Sequence, residues 1–255
     1  MNSSPRARYM PGPVWAVILA VLYTSGMAVV WLVTKEDYAT ETAALVRSSI
    51  PVLLVLVAMV LAAIYFSKTS VVGDMKLRGW AWIGIVPQLI APVGLILAIA
   101  LGGIGSANWG LAAGVLFGTI LVGIGEEGTF RGIALNGLGE RFSVVWAVII
   151  SSVLFALLHA VNILAGQSLQ NTVMQVVFTG FAGLTYAWIY VFSGRNIFLV
   201  MGLHFVYDFS LIAAMPLVGA TNELGGIASI TTTLAALILT GIGIWKFKGK
   251  MLADL

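Results

Sequence analysis

The stretch 110–125, GLAAGVLFGTILVGIG, runs without a break into Glu126-Glu127-Gly128-Thr129-Phe130-Arg131. A charge-free run of this kind approaches what a bilayer core demands of a helix, about 17–25 apolar residues. Charges directly at its end are costly there unless they are paired or used. Seven further apolar runs accompany it, at about 13–34, 49–67, 80–101, 143–165, 171–192, 197–218 and 227–245, and the quoted run itself continues as a polar-marked helix to about 138. Composition agrees. Of 255 residues, 60% are apolar and only 9% charged, with a mean hydropathy of +1.04, whereas a soluble domain carries roughly a quarter charged residues. This excludes a disordered chain, a coiled coil, a nucleic-acid-binding module and an ordinary cytosolic enzyme. No alternating ten-residue pattern suggests a barrel, and unpaired backbone groups are not tolerated in lipid, so the spans are helical. The expected fold is all-α: a polytopic membrane protein of about eight transmembrane helices in one bundle. Residues 1–12 form a cytoplasmic tail in this reading, 13–245 a single transmembrane domain, and 246–255 a basic cytoplasmic tail.

Lys and Arg orient such a bundle. With the N-terminus inside, the inner segments hold Arg6, Arg8, Lys68, Lys76, Arg78, Arg141, Arg195, Lys246, Lys248 and Lys250. The outer loops hold only Lys35 and Arg47. Ten against two places both termini in the cytoplasm and supports an even number of spans. The first run is too long for a signal sequence and lacks a small-residue cleavage site after Trp31, so it is read as a retained anchor. Trp15, Trp31, Trp80, Trp109 and Trp245 fall near run ends, as interfacial aromatics do. Gly110, Gly114 and Gly118 recur at every fourth residue, a stripe that lets a neighbouring helix come close, and Gly128 and Gly132 repeat the spacing. Without cysteine, there is neither a disulfide framework nor a thiolate metal site.

Setting loop and tail charges aside leaves Glu126, Glu127, Arg131 and Asp208 inside the apolar runs, together with the two histidines of the chain, His159 and His204. All six fall on three spans between residues 126 and 208. A charge at the centre of a membrane helix costs at least about 2.5–3.5 kcal/mol on insertion scales, so such a concentration calls for a function. Spacing adds geometry. Glu127 and Arg131 are four apart and can pair along one helix face. Glu126 points about 100° away and has no helical cation partner. His204 and Asp208 are also four apart, so the carboxylate can orient the imidazole. Glu126 and His159 are equidistant from the junction of Phe142 and Ser143, beside the polar turn at 139–141, and in a hairpin reach similar depth, about 24 Å from its tip.

A carboxylate beside a histidine in a sheltered, water-accessible cavity is a general-base arrangement. A second histidine with an acidic neighbour can donate to a developing oxyanion. Glu126, His159 and His204 also have the types and number of ligands of a catalytic zinc site, Zn2+ being the one cofactor the residues leave open. The helical zinc motif with two histidines four apart is absent. Phe155 reads as helix packing, and Tyr207, Asn136 and Asn162 as packing or interface groups.

Three motifs then stand in order on successive spans: Glu126-Glu-Gly-Thr-Phe-Arg131 (EExxxR), Phe155-Ala-Leu-Leu-His159 (FxxxH) and His204-Phe-Val-Tyr-Asp208 (HxxxN/D). Together they resemble the signature of the CPBP family, the CAAX proteases and bacteriocin-processing enzymes, which includes the type II CAAX prenyl endopeptidases. The resemblance covers about residues 110–215, the expected catalytic core. It implies an eight-helix intramembrane endopeptidase in which Glu126 and His159 activate the attacking water. His204 and Asp208 then stabilise the oxyanion, and Glu127 and Arg131 hold the site in shape. Asp208 stands where eukaryotic members more often carry Asn, and an ionised Asp would repel an oxyanion. Family members are described both as metalloproteases and as metal-independent glutamate peptidases.

The expected activity is hydrolysis of a peptide bond in a membrane-associated protein or peptide near the cytoplasmic face, with CAAX-type processing of a prenylated substrate as one form. The expected surroundings are the lipid bilayer of a prokaryotic plasma (inner) membrane, with no nucleic-acid partner. Two rival readings remain: a proton-coupled transporter, which also buries Glu, His and Asp, and a non-catalytic immunity or scaffold member of the same family. Transporters usually show repeated halves, and this chain shows one unrepeated cluster.

Overall fold

A computed structural model describes residues 12–34, 37–38, 41–67, 69–104 and 107–255. Arg6, Arg8, Lys35, Lys68 and nearly all of the expected N-terminal tail lie outside the described residues. The main helices are α1 (Gly12–Val33), α2 (Thr42–Ser67), α3 (Ala81–Gln88), α4 (Ile90–Gly102) and α5 (Trp109–Glu127). A π-helix, Gly128–Leu135, and the short α6 (Asn136–Leu138) extend α5. Then come α7 (Val144–Leu158), continued by a 3-10 segment His159–Ala165, α8 (Leu169–Phe192), α9 (Ile197–Ile212), α10 (Ala214–Val218) and α11 (Gly225–Phe247). Seven of these helical rods are long and apolar enough to cross a membrane, and Ile197–Ile212 is a shorter apolar one. The chain is thus an all-α membrane bundle of roughly eight helices.

Several departures from the even sequence pattern have local causes. The second helix starts at Thr42 rather than near 49. The third span breaks at Leu89, between α3 and α4. Pro87 and Pro92 flank this break, and neither can donate to a helical carbonyl. Beside the break the buried Asn222 donates to the Ala91 carbonyl at 2.8 Å. The end of α5 widens into the π-helix, where Asn136 Nδ2 reaches back to the carbonyls of Arg131 (2.9 Å) and Gly132 (2.8 Å). Such a widening re-aims side chains without ending the helix, and π-turns often mark functional positions.

Between helices in lipid, close packing and interhelical hydrogen bonds replace the hydrophobic drive. The glycine stripe serves this in part. A Cβ at Gly118 would lie 2.5 Å from Val46 Cγ1 and one at Gly114 2.7 Å from Arg47 Cγ, so α2 lies directly on this face of α5, while Gly110 has no such neighbour. Trp31 corrects the expectation of an interfacial ring. It is only 7% exposed and donates its indole N–H to Asn162 Oδ1 at 2.9 Å. Trp80, Trp109 and Trp245 are exposed as expected.

The two ends of the bundle differ. At one end the 69–80 loop pairs with the α8–α9 turn, Met75 N–H donating to the Gly194 carbonyl and Arg78 N–H to that of Phe192. Arg195 reaches Asn136 there, and Val144 N–H donates to the Lys250 carbonyl. Arg78, Arg141, Arg195, Lys248 and Lys250 therefore gather at this end. The opposite end is closed by Tyr38 N–H on the Ala165 carbonyl and Asn108 N–H on that of Pro216.

Candidate active site

The site lies where α5, α7, α8 and α9 meet. Small residues make the meeting possible: a Cβ at Gly123 would stand 2.8 Å from the Met201 carbonyl of α9, and one at Gly125 2.5 Å from the Tyr23 hydroxyl of α1. Glu126 and Glu127 close α5 immediately beyond these contacts and are 5% and 0% exposed.

Glu127 organises one half of the site. Its Oε1 accepts Arg131 Nη1 at 3.0 Å and His204 Nδ1 at 2.8 Å. Arg131, fully buried, gives its Nη2 to the Gly183 carbonyl of α8 at 2.8 Å. Its guanidinium carbon also lies 4.4 Å from the centroid of the Phe155 ring and 5.6 Å from that of Tyr186. A buried ion pair holds only when further hydrogen bonds and ring faces replace the lost water; these contacts do so in part, leaving Arg131 Nε and Glu127 Oε2 buried without a hydrogen-bond partner.

His204 is gripped between rings. Tyr186 stacks on it at 5.0 Å with planes 19° apart, and the Phe155 edge meets it at 5.8 Å. Tyr186 is itself held by donating its hydroxyl to Gln88 Oε1 at 2.7 Å, and Gln88 donates to Thr232 at 2.9 Å. With Nδ1 committed to Glu127, the Nε2 edge faces Asp208 Oδ2 at 3.3 Å and Glu126 Oε2 at 3.9 Å. That Glu126 oxygen is buried and has no hydrogen-bond partner, a costly state for a carboxylate unless something is meant to bind there.

His159 comes in from α7. Its Nδ1 lies 3.1 Å from the Phe155 carbonyl one turn back. A carbonyl only accepts, so Nδ1 carries the proton and the neutral ring keeps its lone pair on Nε2. His159, Glu126 and Asp208 wall one cavity of about 90 Å³, together with Trp31, Thr119 and Asn162. His159, His204 and Asp208 also wall a second cavity of about 600 Å³ beside Tyr186 and Tyr207. Thus Glu126, Glu127, Arg131, His204 and Asp208 are linked by direct approaches, and His159 joins them across cavity walls.

Sequence reasoning left out Phe155, Tyr186, Gln88 and the Gly183 carbonyl as parts of the site. Only Phe155 carried a signal, as the first residue of its motif. Tyr38, half-buried between α1 and α2, also lines both cavities and accepts Gln175 Nε2 at 2.6 Å. Burial pushes its hydroxyl up to about 12, so it stays neutral under ordinary conditions.

The zinc set left open by the sequence does not fit this arrangement. Among the described residues, no group of three His, Cys, Asp or Glu side chains is disposed to hold a metal ion.

Comparison with known proteins bears on the same segment. Residues 108–210 match the family model described as Type II CAAX prenyl endopeptidase Rce1-like. The match contains all six ionisable residues of the site, so the resemblance drawn from three motifs holds for this part of the chain. No curated protein matches the chain.

Proposed function

We propose, from the premise that residues 108–210 form a CAAX-type protease domain, that the chain is an intramembrane endopeptidase acting through water held between Glu126 and His159. The observation that carries this is the free Oε2 of Glu126, buried on a cavity wall that it shares with His159 and Asp208.

In the reaction, a water in the smaller cavity gives a proton to the Glu126 carboxylate as its oxygen attacks the scissile carbonyl. A positioned base of this kind contributes about 10²–10⁴-fold. The Nε2 lone pair of His159 accepts a hydrogen bond from the same water and holds its oxygen toward the substrate. Protonated at both nitrogens, His204 donates from Nε2 to the developing oxyanion, its ring fixed by Glu127, Tyr186 and Phe155. Asp208 accepts from that same Nε2 before substrate arrives, and yields the position to the oxyanion. Glu126 finally returns its proton to the leaving amine. Glu127 and Arg131 touch no substrate in this scheme; they position His204.

The test uses purified chain in proteoliposomes carrying membrane-anchored peptides, with products identified by mass spectrometry. Cleavage at a defined bond, lost in His159→Ala while the melting temperature is kept, is the expected result. Undiminished cleavage by His159→Ala would remove His159 from the reaction.

A further inference from the structure

We propose that the Tyr38 hydroxyl binds substrate, donating a hydrogen bond to a backbone carbonyl oxygen of the peptide held where the two cavities meet. The inference deepens the hydrolytic reading above and rests on it.

The hydrogen bonds behind Tyr38 run in one direction. They begin at Trp31, whose indole N–H donates and never accepts. That donor takes Asn162 Oδ1 at 2.9 Å, which turns the Asn162 amide nitrogen away from Trp31. This nitrogen donates to Gln175 Oε1 at 2.8 Å, and Gln175 Nε2 donates to the Tyr38 hydroxyl oxygen at 2.6 Å. Each amide is oriented by the partner before it. Tyr38 therefore accepts from behind, and its own hydroxyl proton has no acceptor among the described residues. The residue is also fixed in place. Its backbone N–H donates to the Ala165 carbonyl at 2.9 Å, and the Trp31 ring meets its ring edge-on, with centroids 6.2 Å apart.

Five residues line both cavities: Tyr38, Thr42, His159, Asp208 and Ile212. Ile212 is apolar. An ionised Asp208 only accepts, and so does Nε2 of the neutral His159 ring. Thr42 commits its hydroxyl to the Tyr38 carbonyl. The shared wall thus holds two acceptors and a single uncommitted donor, the Tyr38 hydroxyl. An extended peptide offers N–H and C=O groups in alternation. A wall of acceptors alone would serve its N–H groups and leave a carbonyl unpaired in a sheltered place, which is costly. Tyr38 supplies the missing donor, on a ring that stays put while the peptide binds.

Two substitutions separate the hydroxyl from its direction. Tyr38→Phe removes the donor and keeps the ring. Gln175→Glu keeps every link of the network but reverses the last one. A carboxylate only accepts, so Asn162 and Tyr38 both donate to it, and the tyrosine proton is drawn out of the cavity. Each change is made in the Glu126→Gln chain, which holds peptide without turning it over, in lipid nanodiscs. The probe is a dye-labelled alanine–leucine peptide on a diacyl anchor; its dissociation constant is measured, with thermal unfolding alongside. Each change is expected to weaken binding about tenfold, the worth of one hydrogen bond, with the unfolding midpoint kept. A purely structural Tyr38 would not respond to Gln175→Glu, which leaves its ring and its bond in place. Unchanged affinity in either variant overturns the inference, and so does a chain that binds no peptide. Should Tyr38→Phe fail to fold, Gln175→Glu decides alone. A chain that binds peptide but, with Glu126 intact, never cleaves one would defeat the hydrolytic reading and leave the role of Tyr38 measured.

Discussion

One oxygen of Glu127 receives both His204 and Arg131, at 2.8 and 3.0 Å. The ring that faces the reacting atoms is therefore fixed by a salt bridge that never touches them. Removing one member of a fully buried pair strands the other, at about 3–5 kcal/mol. Arg131→Met is expected to lose that much stability, read as a lower unfolding midpoint in detergent. An unchanged midpoint would show that Glu127 does not depend on Arg131.

Tyr186 separates ring packing from hydrogen bonding. Tyr186→Phe keeps the stack on His204 and loses only the bond to Gln88, which is expected to cost about 1 kcal/mol and little turnover. Tyr186→Ala frees the imidazole and is expected to lower kcat far more than it changes KM. Equal kinetics for the two variants would deny the ring a positioning role.

Gly137 sits against α1, where a methyl group would run into the Gly12 carbonyl. Backbone cannot swing aside as a side chain can, so Gly137→Ala is expected to cost about 1–3 kcal/mol by overpacking. Thermal unfolding compared with Gly110→Ala, which meets no close neighbour across the bundle, gives the contrast.

Chelators are expected to leave cleavage unchanged, because among the described residues no three His, Asp or Glu side chains are disposed to hold one ion. Metal analysis of active protein checks this. A stoichiometric ion whose removal stops turnover would contradict it.

Local spacing made much of the site legible. Glu127 with Arg131 and His204 with Asp208 are pairs at i and i+4, and a helix brings such pairs together whatever surrounds it. The membrane class followed from composition, because a surface facing hydrocarbon cannot hide. Other features depend on distant partners. The break at Leu89 had a signal in Pro87 and Pro92, but an apolar run hides it from a count of hydropathy. The π-helix needs the side chain of Asn136 to cap its carbonyls, and no periodicity announces that. Tyr186 on His204 is a contact between α8 and α9, and on an apolar span a tyrosine looks like any other packing residue. Trp31 lies near a run end, yet Asn162 draws it inward.

The most direct measurement compares Glu126→Gln with the unaltered chain in single-turnover cleavage of a membrane-anchored peptide, alongside thermal unfolding. Because Oε2 of Glu126 bonds to nothing in the fold, the amide is expected to leave the unfolding midpoint in place while the rate falls by about 10²–10⁴-fold. A Glu126→Gln chain that folds normally and cleaves at the full rate would contradict the account.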